Sequence, residues 1–184
     1  MAYSINFERR LQRSLEKALP GCEWETEKKI DNRSNVDVAG SVDGRLVLVE
    51  VELKKDNPVE NTVKIWHWRE RDKTRRPILF IQAFSAHYAS DKKGAKTSKA
   101  KQYERAVFIG RKMAEDRLLR ITYKPVLIFG TTRKGKRRQY RPLLRKGTTV
   151  KAGGGAMLRA AGELARDIAY VLSQPKRKLK ANSQ

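Results

Sequence analysis

Two apolar runs that flank the dipeptide Asp43-Gly44 constrain the fold of this chain more than any other feature. Asp-Gly accepts positive φ angles, and between two apolar runs it predicts a tight β-hairpin. Side chains alternate between the two faces of a strand. In the second strand of this hairpin one face is wholly apolar and consists of Val47, Val49, Val51 and Leu53. The other face begins apolar and ends in charge, with Leu46, Leu48, Glu50, Glu52 and Lys54.

The charged end of this strand requires a chemical explanation. Because the valine-rich middle of the strand predicts a central position in a sheet, Glu50, Glu52 and Lys54 are expected near the core. Buried charges cost free energy unless they are paired or bound to a metal. Asp37 lies in the first strand of the hairpin, close enough to join them. The alternative is a ladder of alternating Glu and Lys that protects an exposed sheet edge.

These residues resemble the PD-(D/E)XK nuclease superfamily, in which an acidic residue on one strand is followed by (Asp/Glu)-x-Lys on the next. The archaeal-type Holliday junction resolvases show the same succession of a helix Glu, then Val-Asp, then Glu-Val-Lys after a hairpin. The similarity covers roughly residues 6–130 in the order of elements. It implies an α/β fold with a restriction-endonuclease-like αβββαβ core, that is, a mixed central sheet flanked by helices. It also implies metal-dependent DNA cleavage without a small-molecule cofactor.

The resemblance implies a role for each charged residue of the hairpin. Asp37 and Glu50 would be the ligands of Mg²⁺, or of Mn²⁺, since both carboxylates supply the hard oxygen donors that such cations prefer. Glu52 or Lys54 would orient or deprotonate the attacking water. The chain departs from the family in having Glu52 where the motif lysine is expected. Two frames therefore remain open, Glu50-Val51-Glu52 and Glu52-Leu53-Lys54, and we favour the first.

A helix is predicted from Ser4 or Asn6 to about Leu19, and it carries a further acidic candidate. Glu8 falls inside the apolar stripe of this helix, where a carboxylate is costly unless something binds it. A glutamate that reaches solvent at the stripe edge and a functional glutamate both fit the pattern. The resemblance favours the functional interpretation, since the family has a helix glutamate that helps to hold the metal or its waters.

The whole chain is expected to be a single nuclease-like domain of residues 1–184. Its predicted parts are a core of about residues 4–130, a basic arm at 131–152, a C-terminal helix at 155–173 and a basic tail at 174–184. After the hairpin, the core is expected to contain a helix behind Pro58, a buried strand over 78–84, a helix over 98–117 and a strand over 123–130.

The charge of the chain indicates a polyanionic partner. It contains 42 Lys and Arg against 20 Asp and Glu, a formal net charge of +22 at pH 7, and nucleic acid is the leading partner for such a balance. A ribosomal-type basic protein and a membrane-surface binder are the alternatives, and the membrane binder ranks last because neither terminus has a basic helix with a strong aromatic apolar face. The predicted DNA-binding residues of the arm are Arg133, Lys134, Lys136, Arg137, Arg138, Arg141 and Arg145. A non-catalytic nucleic-acid-binding protein on a degenerate nuclease fold is the alternative to an endonuclease.

Other features of the sequence concern the cellular compartment and the assembly of the protein rather than its chemistry. Cys22 is the only cysteine, which excludes an internal disulfide framework and a CxxC metal site. No apolar run is long enough to span a bilayer, so a cytoplasmic, nucleoid-associated protein without a membrane partner is expected. The resemblance is compatible with a homodimer, because junction resolvases and many restriction enzymes act as dimers. A junction, a nick, a flap, a specific duplex site and a single strand all remain open as the DNA structure that is cut.

Overall fold

The computed structural model describes residues 2–32, 34–53, 57–85, 88, 98–128 and 156–174, and of residues 2–6, 98–99 and 156–158 it describes the backbone alone. The described residues form four helices and five strands. In chain order these are α1 (Ala2–Ala18), β1 (Trp24–Asp31), β2 (Ser34–Val42), β3 (Arg45–Glu52), α2 (Val59–Arg71), β4 (Ile78–Phe84), α3 (Ser98–Glu115), β5 (Ile121–Leu127) and α4 (Ala156–Ser173).

The strands form one mixed sheet in the order β1-β2-β3-β4-β5. The first three strands are an antiparallel meander, whereas β4 and β5 run parallel to β3. Parallel neighbours need a crossover connection, and α2 and α3 provide it. The chain is therefore α/β, as predicted. In this sheet β3 is the middle strand, which excludes the interpretation of its charges as a ladder on an exposed edge.

The predicted hairpin is confirmed. Asp43 and Gly44 both have positive φ, at 49° and 72°, which is the signature of the two-residue type I′ turn that matches the twist of paired strands. Val42 then pairs with Arg45, and the register continues to Val38 opposite Val49. The turn thus determines which residue of β2 meets the charged end of β3.

Helices α1 and α4 cover one face of the sheet. Phe7 and Leu11 of α1 and Leu164 and Ile168 of α4 pack with the valines of β3, including Val49, in one buried cluster. Each such side chain contributes about 1.5–3 kcal/mol by leaving water. The C-terminal helix is therefore part of this core. Helix α1 begins at Ala2, so that Ser4 and Asn6 lie within it instead of capping it.

Helices α2 and α3 cover the opposite face. Ile65 of α2 and Met113 of α3 pack against Leu48, Phe80 and Tyr123 of the sheet in a second buried cluster. Both helices follow strands of one parallel run, and crossovers of one hand bring them to the same side. The side chains of Leu46 and Leu48 belong to this layer, so the alternation of β3 directs its charged residues toward α2.

A glycine allows α3 to approach the sheet closely. A Cβ atom on Gly110 would lie 2.4 Å from the ring of Tyr123, closer than any side chain tolerates. The small residue on α3 therefore leaves the space that the Tyr123 ring fills. None of the described helices is both long and apolar enough to cross a membrane.

The C-terminal end of α2 is held by a fully buried arginine. Arg69 donates hydrogen bonds to the carbonyls of Leu119 and Arg76 and to the carboxylate of Asp72. Burial lowers the pKa of Arg69. Burial would raise the pKa of Asp72, but hydrogen bonds from Thr74 and the pairing with Arg69 lower it below its usual value. This cluster fixes α2 against the turns that precede β4 and β5.

Candidate active site at the end of the central strand

Asp37 of β2 lies beside the carboxyl end of the neighbouring strand β3. Since Val38 pairs with Val49, the antiparallel register brings Asp37 next to Glu50. The half-buried Asp37 accepts a hydrogen bond through Oδ2 from the backbone N–H of Val51, at 2.6 Å. Its carboxylate therefore takes the role of a strand carbonyl. Val51 lies between Glu50 and Glu52, so this hydrogen bond places Asp37 at the charged end of β3 and leaves both frames of the motif open.

A kink in β2 gives Asp37 this orientation. Val36 belongs to the core beneath α2 and α3, whereas Val38 belongs to the core beneath α1 and α4. Residues of equal parity share one face in a regular strand, so β2 changes face at Asp37. Opposite this point on β1, Glu27 has φ of 52°, a left-handed conformation that is rare for a residue other than glycine. The distortion is thus shared by the two strands.

Glu50 is paired with a lysine of α2. Lys64 Nζ lies 2.6 Å from Glu50 Oε1 and 2.5 Å from the carbonyl oxygen of Asn35. The Glu50 side chain is fully buried, whereas the Lys64 side chain is 20% exposed. The ammonium therefore bridges β2 and β3 from the α2 side and extends toward the surface.

Glu52 is held by amides. Asn61 Nδ2 donates to Glu52 Oε1 at 2.7 Å, and Gln82 Nε2 donates to the same oxygen at 2.8 Å. The residue is fully buried. Asn61 precedes Lys64 by nearly one helical turn, so α2 contacts Glu52 and Glu50 in succession.

Gln82 of β4 connects Glu52 to the rest of this layer. Besides Glu52, its Nε2 donates to the carbonyl of Pro58 at 2.8 Å, while its Oε1 accepts from Thr62 at 3.0 Å and from the hydroxyl of Tyr123 at 2.8 Å. Burial raises the pKa of Tyr123, so the phenol stays protonated as the donor. We call Glu52, Asn61, Thr62, Gln82 and Tyr123 the buried amide network. It joins β3, β4, β5 and α2.

The other predicted site residues lie elsewhere. Glu8 is buried, at 7% exposure, on α1, the helix that covers the face opposite α2. Across the described ranges, no group of three His, Cys, Asp or Glu side chains is arranged to hold a metal ion. Lys54 and the seven basic residues predicted at 133–145 lie outside the described residues.

Sequence reasoning missed the residues that surround the carboxylates. Lys64 and Asn61 carried no motif, although both fall on the inward face of a helix that the sequence predicted. Gln82 gave a signal, because it interrupts an otherwise apolar run that forms the fully buried strand β4. Buried polar residues are expected to have hydrogen-bonding partners, and Gln82 could have indicated a network beneath Glu52.

No family model, curated protein or solved structure matches the chain. The candidate site is accordingly described by its own geometry: two carboxylates on adjacent strands, an ammonium bonded to one of them, and the buried amide network beside them.

Proposed function

We propose that this chain is a metal-dependent DNA endonuclease that hydrolyses phosphodiester bonds. One observation carries the proposal. On the middle strand of the sheet, Glu50 lies beside Asp37 and within 2.6 Å of the Lys64 ammonium. Carboxylates can hold a cation that activates water for phosphodiester hydrolysis, and an amine can stabilise charge on the phosphate; the carboxyl end of β3 offers both kinds of group.

The topology supports the same proposal. A helix, three antiparallel strands, a helix, a parallel strand, a helix and a further parallel strand follow one another along the chain. This is the order that the resemblance to the PD-(D/E)XK superfamily implies. A restriction-endonuclease-like core is therefore part of the proposal.

The donor set fits a hard divalent cation. Mg²⁺ is usually held by one or two carboxylates and keeps several of its waters, and Asp37 with Glu50 would provide two. When bound, Mg²⁺ or Mn²⁺ would lower the pKa of a water and neutralise charge on the phosphate. The backbone N–H of Val51 hydrogen-bonds to Oδ2 of Asp37 and holds this carboxylate beside β3.

Lys64 is proposed to supply the amine that the motif lacks at Glu52. Its ammonium would stabilise charge that develops on the phosphate in the transition state. Glu52 is proposed to act as a positioning residue, because two amide donors already bind its Oε1. Through Asn61 it fixes α2 so that Lys64 meets Glu50.

DNA is the proposed partner because a net charge of +22 attracts phosphates and releases their counterions. The basic arm is proposed to contribute to this contact. A nucleoid-associated location in the cytoplasm and a homodimeric assembly belong to the same proposal.

Cleavage of labelled branched, duplex and single-stranded DNA, with and without Mg²⁺, tests the proposal. Asp37→Asn, Glu50→Gln and Lys64→Met should each lower the rate by about 10²- to 10³-fold, the loss typical of removing one group that stabilises charge in the transition state. DNA affinity should persist. Matched controls are Asp43→Asn and Lys73→Met, which alter exposed residues and should cut like the parent.

Two results would contradict the proposal. If the three site variants cut DNA like the parent, the site is elsewhere. If the parent binds DNA but cuts none of the substrates with Mg²⁺ or Mn²⁺, the alternative of a non-catalytic nucleic-acid-binding protein is correct.

A further inference from the structure

A groove opens between the start of α2 and the outer face of α3. Its volume is about 820 Å³, and its lining includes Asn57 and Val59 on one side and Lys101, Arg105 and Phe108 on the other. The groove thus combines cations, an aromatic ring and an aliphatic wall.

Phe108 is unusual in its exposure. Its side chain is 58% exposed, whereas Phe7, Phe80 and Phe84 are at most 1% exposed. Residues Ala106 and Val107, its neighbours on α3, are buried, so the inner face of the helix packs normally without it. Since Phe108 lines the groove together with Lys101 and Arg105, its exposed ring is accessible to a ligand there.

The residues around this ring favour a nucleic acid. Lys101, Arg105 and Phe108 lie within an arc of about 60° on α3, since successive residues rotate by about 100°. Glu104 also lines the groove, which leaves the charged lining residues with an excess of one cation. Cations that track phosphates beside an aromatic platform are the usual means of binding single strands.

The groove begins close to the candidate active site. Val59 precedes Lys64 by five residues, about 7.5 Å along the axis of α2. Between them, Asn61 bonds to Glu52. Helix α2 therefore carries both the start of the groove and the residues that contact the candidate site.

We infer that this groove binds an unpaired DNA segment of the substrate, with a base stacked on Phe108 and phosphates on Lys101 and Arg105. The inference rests on the proposed nuclease function in one respect, namely that the bound DNA is cut at the site next to the groove. Bases inside a duplex stack on one another and are closed to Phe108. The groove therefore selects substrates with an unpaired strand, such as a flap, over a continuous duplex.

Binding of fluorescent oligo-dT and of a blunt-ended duplex without a loop by the full chain, in EDTA, tests the inference. Phe108→Leu should weaken oligo-dT binding about tenfold, the effect of losing one stacked base, and leave duplex binding unchanged. Phe108→Tyr should bind like the parent. Leu118→Ala removes an apolar side chain that is 77% exposed elsewhere and is the control.

An unchanged oligo-dT affinity of Phe108→Leu would overturn the inference, as would equal decreases in affinity for oligo-dT and duplex. These outcomes are independent of catalysis. If the chain cuts no DNA but Phe108→Leu selectively weakens oligo-dT binding, the groove stands and the nuclease proposal fails. If the chain cuts DNA while Phe108→Leu behaves like the parent on every substrate, the nuclease proposal stands and the groove inference fails.

Discussion

Replacing Lys64 by methionine should destabilise the fold more than replacing its partner Glu50 by glutamine. The reason is the burial of the group left behind. Lys64→Met removes the ammonium beside a carboxylate that is fully buried, whereas Glu50→Gln leaves a lysine whose side chain is 20% exposed and can reach water. Removing one member of a buried pair costs roughly 3–5 kcal/mol. Because this pair is partly exposed, we expect about 3 kcal/mol for Lys64→Met and about 1 kcal/mol for Glu50→Gln.

The assay is thermal unfolding of the two single variants and the double variant. At this chain length, 3 kcal/mol corresponds to a decrease of about 6–12 °C in Tm. The double variant should resemble Glu50→Gln, because no carboxylate remains to be stranded, which gives a coupling free energy of about 3 kcal/mol in magnitude. Lys73→Met, which changes an exposed lysine, should stay within about 0.5 kcal/mol of the parent.

Divalent metal extends the same experiment to the proposed site. Mg²⁺ should raise the Tm of Lys64→Met more than that of the parent, because the cation can take the place of the ammonium beside Glu50. The double variant should not show this effect. Additive costs in the double variant, or equal effects of Mg²⁺ on all variants, would refute the reasoning.

Three further predictions concern separate parts of the molecule. Thermal unfolding should show that Gly110→Ala lowers the free energy of unfolding by about 1–3 kcal/mol, because the added methyl group overpacks against Tyr123. Gly162→Ala, which has nothing within 4 Å of the added Cβ, should instead stabilise α4 by up to about 1 kcal/mol. The lowered pKa of Asp72 stabilises the fold above the unfolded pKa of about 3.9, and this stability is lost as the pH falls through the folded pKa. Asp72→Asn should therefore make the free energy of unfolding decrease less steeply between about pH 5 and pH 2. Neutralising the three arginines within 137–141 should reduce the slope of log K against log salt on duplex DNA by about 0.9 for each phosphate that the arm no longer neutralises; an unchanged slope would show that these arginines do not bind phosphates.

The sequence by itself was sufficient for the local geometry. The turn at Asp43 and Gly44 depends on the φ angles of two residues, and those angles follow from their own chemistry. This turn sets the register of β2 on β3 and thereby places Asp37 next to Glu50. The apolar periods predicted the helices and the buried strand β4, because period is a property of each element alone.

The tertiary structure decided which groups meet these carboxylates. Lys64 bonds to Glu50, and Asn61 and Gln82 bond to Glu52, only because α2 packs over the end of β3 at one rotation and one height. That arrangement depends on the packing of Ile65 against the sheet and on the anchoring of Arg69, which join residues far apart in the chain. Glu50 and Glu52 have the same local pattern on one strand face, and their different partners follow from which turn of α2 covers each of them.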